Sequence, residues 1–132
     1  MIKKINKLAT ELLKTLSDSP DQSRYFLGIT GCPAAGKSML AKKLTDEINL
    51  RIGDDLAAVV PMDGFHLPNS ILKERGLAKV KGAPETFDAD SFVGLINRLH
   101  EFPDRNIMCP AYDRKTHNPI ENSITIKPCN RL

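Results

Sequence analysis

The stretch Gly31-Cys32-Pro33-Ala34-Ala35-Gly36-Lys37-Ser38 decides how this chain is read. It fits the pattern G-x-x-x-x-G-K-[ST] without deviation. Average residue usage makes a chance match over ~125 start positions an event of about half a percent. Glycines at that spacing let successive backbone N–H groups turn inward as a nest for phosphate oxygens. Lys37 then reaches the β- and γ-phosphates, and the Ser38 hydroxyl is a magnesium ligand. A helix starting near Lys37 adds the positive end of its dipole. The context agrees with that mechanism. Tyr25-Phe26-Leu27-Gly28-Ile29-Thr30 reads as a short strand ahead of the loop. Behind it, Leu40, Leu44, Ile48 and Leu50 give a helical stretch an apolar side. The segment is therefore read as a nucleoside-triphosphate site with Mg²⁺ as its metal. Its binding residues are Gly31, Cys32, Pro33, Ala34, Ala35, Gly36, Lys37, Ser38 and Met39.

Outward from the loop, the chain alternates. Before it, Ile2, Ile5, Leu8, Leu12, Leu13 and Leu16 recur at helical steps, which predicts an amphipathic helix within residues 1–19. After it, Leu56-Ala57-Ala58-Val59-Val60 reads as a strand buried on both faces and ending at Pro61-Met62-Asp63. Asn69 is placed to cap a short helix through Arg75, and Gly76 to Pro84 forms a basic loop carrying Lys79 and Lys81. Asp90 to Glu101 predicts a helix burying Phe92, Leu95, Ile96 and Leu99. Ile107-Met108-Cys109 predicts a third strand and Ser123 to Lys127 a fourth. Strand, helix, strand, helices, strand is the order of a parallel α/β sheet. At roughly 30 residues per βαβ unit, the chain holds about three or four strands and reads as the front part of a larger domain.

Composition narrows the classes. The 132 residues carry 19 Lys+Arg against 16 Asp+Glu, a net charge of +3, with 41% hydrophobic and 27% charged residues. That is the balance of a globular domain and not of a disordered one. No apolar run approaches the ~20 residues of a membrane span, and the N-terminus lacks the pattern of a secretory signal. Three cysteines without a CxxC pair argue against a disulfide framework or a zinc site, so a reducing cytoplasm is expected. A small basic excess and an aromatic content of 5% leave little for nucleic-acid binding.

In an open parallel sheet, ligands sit beyond the carboxyl ends of the strands. Three segments are expected to meet there: the phosphate loop, Asp63, and Tyr112-Asp113-Arg114. A carboxylate at Asp63 can take a proton from a substrate hydroxyl or hold the metal, although Asp63-Gly64 also suits a plain turn. No Asn-Lys-x-Asp follows to read guanine. A small-molecule kinase fits better than a GTPase.

At this point a resemblance becomes specific. Gly28 to Ser38, then Val59-Val60-Pro61-Met62-Asp63-Gly64-Phe65-His66, resembles the superfamily of uridine kinase, phosphoribulokinase and bacterial pantothenate kinase. Lys81-Gly82-Ala83-Pro84-Glu85-Thr86-Phe87-Asp88 is similar to its uridine-kinase-like branch, and Pro110-Ala111-Tyr112-Asp113-Arg114 with His117 to its Pro-x-Tyr-Asp segment. The resemblance implies a three-layer α/β P-loop fold with a parallel sheet and flanking helices, present here in its N-terminal part. Residues 1–132 would then be part of one kinase domain, with residues 25–132 as its nucleotide-binding core. It implies Asp63 as catalytic base beside Lys37, and Ser38 with Asp63 at the metal. It further implies His66, Phe87, Asp88, Tyr112 and His117 at the acceptor, with Arg114 standing where relatives carry Phe.

The same residues admit simpler roles. Phe87 suits a core, Asp88 can cap the helix that follows, and His66 and His117 can be solvated loop residues. Lys79 and Lys81 could clamp a phosphorylated acceptor, and the simpler role for them is a solvated basic loop. The expected activity is transfer of the γ-phosphoryl group of ATP to a hydroxyl of a nucleoside, a pantothenate-like molecule or a sugar. The alternatives are a non-catalytic ATP-binding fragment without the arginine-bearing lid of relatives, and a stand-alone regulatory ATPase. Pairing with a completing chain or a second copy is also expected.

Overall fold

A computed structural model describes residues 2–19, 23–31, 35–81 and 83–132. The chain divides into two compact units, one of residues 1–59 with 127–132 and one of residues 60–126.

In the first unit the apolar stripe of the N-terminal segment forms α1, Ile2–Asp18, and buries Ile5, Ala9, Leu12 and Leu16. Ile2, expected on that face, is 76% exposed, and Ala9 takes a place on it instead. Helix α2, Lys37–Ile52, buries Leu44 and Ile48 against α1. Leu50 lies only two residues from Ile48, off the 3.6-residue repeat, and is solvent-exposed, correcting the expectation that it shares the face. Burying each such Leu or Ile is worth about 1.5–3 kcal/mol. Gly53 ends α2 in the left-handed conformation (φ 73°), and its N–H donates to the Asn49 carbonyl at 2.9 Å. The Asn49 side chain then accepts from the N–H groups of Leu56 (2.9 Å) and Ala57 (2.7 Å) and donates to the Ala57 carbonyl (3.1 Å). Arg51 ties the two helices by donating to the Thr10 hydroxyl (2.8 Å) and the Asn6 carbonyl (3.1 Å).

The expected strands 25–30 and 56–60 carry no regular secondary structure and build no ladder among the described residues. Both are bridged by the last residues of the chain. Tyr25 N–H donates to the Arg131 carbonyl (2.7 Å), Arg131 N–H to Leu56 (2.9 Å), and Ala58 N–H to Leu132 (2.9 Å). Arg24, almost fully buried, donates to the carbonyls of Asn130 and Lys127, each at 2.9 Å. These are single bonds from a short tail, too few for a continuous sheet. The expected burial of residues 56–60 on both faces is also not met: Ala57 is buried and Val59 is 36% exposed.

The second unit carries the sheet. Strands β1, Ile107–Asp113, and β2, Asn118–Ile126, pair antiparallel from Ile107 opposite Ile126 to Asp113 opposite Asn118. Among the described residues this is the sheet that forms, and it is not the parallel one expected. The reason is the connection. The few residues between Asp113 and Asn118 can turn a hairpin, whereas a parallel crossover needs a dozen or more. The register breaks between Cys109 and Ala111, at Pro110, which has no N–H to give. The fourth strand is longer than expected at its start and stops before Lys127, whose N–H instead bonds the Asn130 side chain. Helix α3, Asn69–Glu74, buries Leu72, and α4, Ala89–Glu101, buries Leu95 and Leu99. Phe65, on a 3-10 turn at Met62–Phe65, packs edge-on to Phe92 with centroids 5.2 Å apart.

Candidate functional site

In the first unit, the described part of the segment 31–38 has Gly36 at φ 87°, ψ 20°, a conformation that a side chain resists and glycine does not. Gly36 is also the N-cap of α2, and no side chain caps that helix end. An uncapped helix N-terminus is suited to an anion. Lys37 folds back so that its Nζ donates to the Gly31 carbonyl at 2.6 Å. Ser38 and Met39 are exposed on the first turn of α2. The expected contacts of Cys32, Pro33 and Ala34 lie outside the described residues.

In the second unit, the Met62–Phe65 turn seats Asp63 because Gly64 packs directly on β1. A Cβ at Gly64 would run into the Pro110 carbonyl and stand 3.2 Å from the Ala111 Cα. The Asp63 side chain is exposed, while its carbonyl accepts from His66 N–H at 3.2 Å and faces His66 Nδ1 at 2.8 Å. A carbonyl only accepts, so Nδ1 carries a proton in this contact, and in a neutral imidazole of that tautomer Nε2 is the acceptor.

Three residues distant in sequence come together around that ring. His66 and Phe87 form an antiparallel bridge, with ring centroids 4.1 Å apart, and Tyr112 lies 5.0 Å from His66. Flanking bonds fix the bridge: Leu67 N–H to the Thr86 carbonyl (2.8 Å) and Asp88 N–H to the Phe65 carbonyl (2.7 Å). Of the other expected acceptor residues, Asp88 caps α4, accepting from Ser91 N–H (3.2 Å) and the Ser91 hydroxyl (2.6 Å). His117 is exposed, in a left-handed conformation at φ 54°. Beside Phe87 and Asp88 an open cleft of about 480 Å³ is lined by Leu67, Ile71, Arg75 and Glu85.

Two residues read otherwise from sequence join this site. Asn69 does not cap α3, whose N-cap is Pro68; its side-chain oxygen instead accepts from Lys81 Nζ at 2.8 Å. Lys81 is not a solvated loop residue. It is half-buried, donates also to the His117 carbonyl, and stands 5.2 Å from the Tyr112 ring centroid. A residue-type pattern could have found neither, because the partners lie 12 and 36 residues away. Among the described residues, no three His, Cys, Asp or Glu side chains gather as a metal cluster, and no helix is long and apolar enough to cross a membrane.

No family model matches the chain. It is 35% identical over 131 residues to the Schizosaccharomyces pombe protein named “Putative uridine kinase C227.14”, covering 94% of this chain and 52% of that one. It is 32% identical over 98 residues to the pantothenate kinase of Limosilactobacillus fermentum, covering 74% of this chain and 32% of that enzyme. Among solved structures, it superimposes with a TM-score of 0.84 on the “putative fructose transport system kinase” from Silicibacter sp. TM1040. That match has 35% identity and covers 96% of this chain and 59% of that one. The chain thus spans about half the length, or less, of the curated relatives it matches.

Proposed function

Membership of the uridine kinase and pantothenate kinase superfamily is the premise from which we propose that this chain transfers the γ-phosphoryl group of ATP to a hydroxyl of a small metabolite. The observation that carries the reading is the meeting of His66, Phe87 and Tyr112, each marked for the acceptor by its motif, in one ring cluster with centroids 4.1 and 5.0 Å from His66. The three-layer α/β fold and the single-domain organisation of residues 1–132 belong to the same proposal, supported by the TM-score of 0.84. We also assign the chain to the cytoplasm, on the absence of any paired-cysteine pattern in its sequence.

The residues present fit the ligands this requires. The left-handed Gly36 and the uncapped start of α2 suit a polyphosphate. Lys37, whose Nζ donates to the Gly31 carbonyl, can turn from there to the β- and γ-oxygens. Ser38, by the motif of residues 31–38, and Asp63, by the resemblance of residues 59–66, are the residues assigned to Mg²⁺ in this proposal; when bound, the ion would neutralise charge that builds up on the transferring group. In the proposed step the acceptor oxygen gives its proton to the Asp63 carboxylate and bonds to the γ-phosphorus, while the bond from that phosphorus to ADP breaks. The rings of His66, Phe87 and Tyr112 supply an apolar wall, and His66 Nε2 offers an acceptor for a second acceptor hydroxyl.

The test uses radiolabelled ATP with uridine, pantothenate and fructose offered separately. Labelled product from one of them, lost in Asp63→Asn while binding of a non-hydrolysable ATP analogue persists and lost together with that binding in Lys37→Ala, supports the reading. Unchanged turnover in Asp63→Asn refutes the base assignment. ATP hydrolysis indifferent to every acceptor refutes the kinase reading.

A further inference from the structure

The Lys81 ammonium has three N–H groups and little freedom. One donates to the Asn69 side-chain oxygen at 2.8 Å, another to the His117 carbonyl, and the charge faces the Tyr112 ring 5.2 Å away. Asn69 is engaged in turn: its backbone N–H donates to the Asn118 side chain (3.0 Å), and its amide reaches the Thr116 carbonyl (3.5 Å). Three loops are thereby tied together at one point.

Each of those loops carries one ring of the cluster. Asn69 follows His66 closely, Lys81 shortly precedes Phe87, and Thr116 to Asn118 follow Tyr112 around the hairpin turn. The turn has a reason to need a fastening. His117 stands at φ 54°, a left-handed conformation unfavourable to a side chain with a Cβ. A charge-assisted bond from Lys81 to the carbonyl of that same residue counters it. A lysine merely solvated in a basic loop would have neither half-burial nor two oxygen partners.

We propose that Asn69 and Lys81 are positioning residues of the acceptor site. They fasten the turn between β1 and β2 to the loops bearing His66 and Phe87, and so fix the ring cluster against which the acceptor lies. Lys81 spends its charge inside the protein and does not grip the acceptor itself. This rests on the kinase reading only for the identity of what the cluster binds; the fastening is a property of the residues alone.

The experiment therefore has two arms, both on the full chain. The first is independent of activity. The chain has 3 histidines, so their ring resonances can be assigned singly. In the wild type, the His66 ring protons are displaced by the neighbouring Phe87 and Tyr112 rings. Asn69→Ala and Lys81→Met should move them most of the way toward the position of the exposed His100, with helix content by circular dichroism retained, and Lys81→Arg should restore them in part. A native His66 spectrum in folded Asn69→Ala and Lys81→Met overturns the proposal. Loss of folding in both variants overturns it as well, because the pair would then hold up the unit and not the site.

The second arm measures phosphorylation of uridine, of pantothenate and of fructose. Both variants should raise the KM of whichever acceptor the wild type uses by about tenfold, the scale of one charge-assisted bond, and leave the KM for ATP unchanged. An effect on kcat and both KM values alike contradicts a positioning role. If the wild type phosphorylates none of the three, the kinase reading fails, and the His66 spectra alone decide the fastening.

Discussion

Replacing Gly64 by alanine tests the link between the Asp63 turn and the hairpin. Gly64 has no left-handed φ, so alanine meets no conformational penalty there and the effect is one of space. The new methyl would be driven into the Pro110 carbonyl and held 3.2 Å from the Ala111 Cα. These are backbone atoms of β1, which cannot swing aside as a side-chain tip can. Overpacking in a fitted interior costs about 1–3 kcal/mol, and a backbone obstacle places Gly64→Ala at about 2–3 kcal/mol. Gly94 is the control. It is exposed in the middle of α4 with nothing within 4 Å of a Cβ, so alanine there should stabilise by about 0.8–1 kcal/mol through helix propensity. An unfolding entropy of about 2.1 cal/mol/K per residue converts each kcal/mol into about 3.6 °C for a chain of this length. Calorimetry should then show Gly64→Ala melting about 7–11 °C lower and Gly94→Ala about 3 °C higher. A Gly64→Ala protein within about 0.5 kcal/mol of wild type would show that the turn does not rest on β1, and the argument for the placement of Asp63 would go with it.

Two further outcomes follow from titrating groups. Burial pushes the Cys109 thiol up to about 11, which leaves about one thiolate in a thousand at pH 8. Iodoacetamide at that pH should modify the exposed Cys129 and spare Cys109 until urea is added, as peptide mapping would show; equal labelling of the two in the native protein refutes the burial. The Asp113 carboxyl is held below its usual value, first by the Lys115 N–H and then by the Thr116 hydroxyl, at 3.0 and 2.9 Å. A depressed folded value means the turn's contribution is present at and above the ordinary carboxylate pKa and is lost as pH falls through the depressed one. An NMR titration should find Asp113 below the ordinary range and Thr116→Val moving it back up; a titration identical in both proteins refutes the assignment.

What the sequence made legible, and what it did not, divides along physical lines. Periodic burial was readable: α1, α2 and α4 form where apolar residues recur at helical steps, and the exceptions, Ile2 and Leu50, sit at a free helix end and off the repeat. Local chemistry was readable too. Asp88 caps α4 as its position before a helix allows. Strand pairing was not. Apolar runs at 25–30 and 56–60 specify extended chain, but a ladder needs a partner whose register lies elsewhere in the sequence, and the residues facing them here are those of the short tail 127–132. The Ile107–Asp113 strand had a partner within reach of a tight turn and took it, antiparallel.

The same distinction accounts for Lys81. A basic residue in a glycine-containing loop carries a local signal for solvation and nothing more. Its partners, Asn69 and the His117 carbonyl, are 12 and 36 residues distant, and one of them is a backbone atom that no residue pattern can announce. Motif reading singles out the rings of His66, Phe87 and Tyr112 because the resemblance rests on residue type at those positions. A group that only holds those rings in place is restricted by geometry, since any donor of the right length could serve. In this cluster the residues legible in sequence are the rings of His66, Phe87 and Tyr112, and the bonds of Asn69 and Lys81 become visible only when the loops are closed around them.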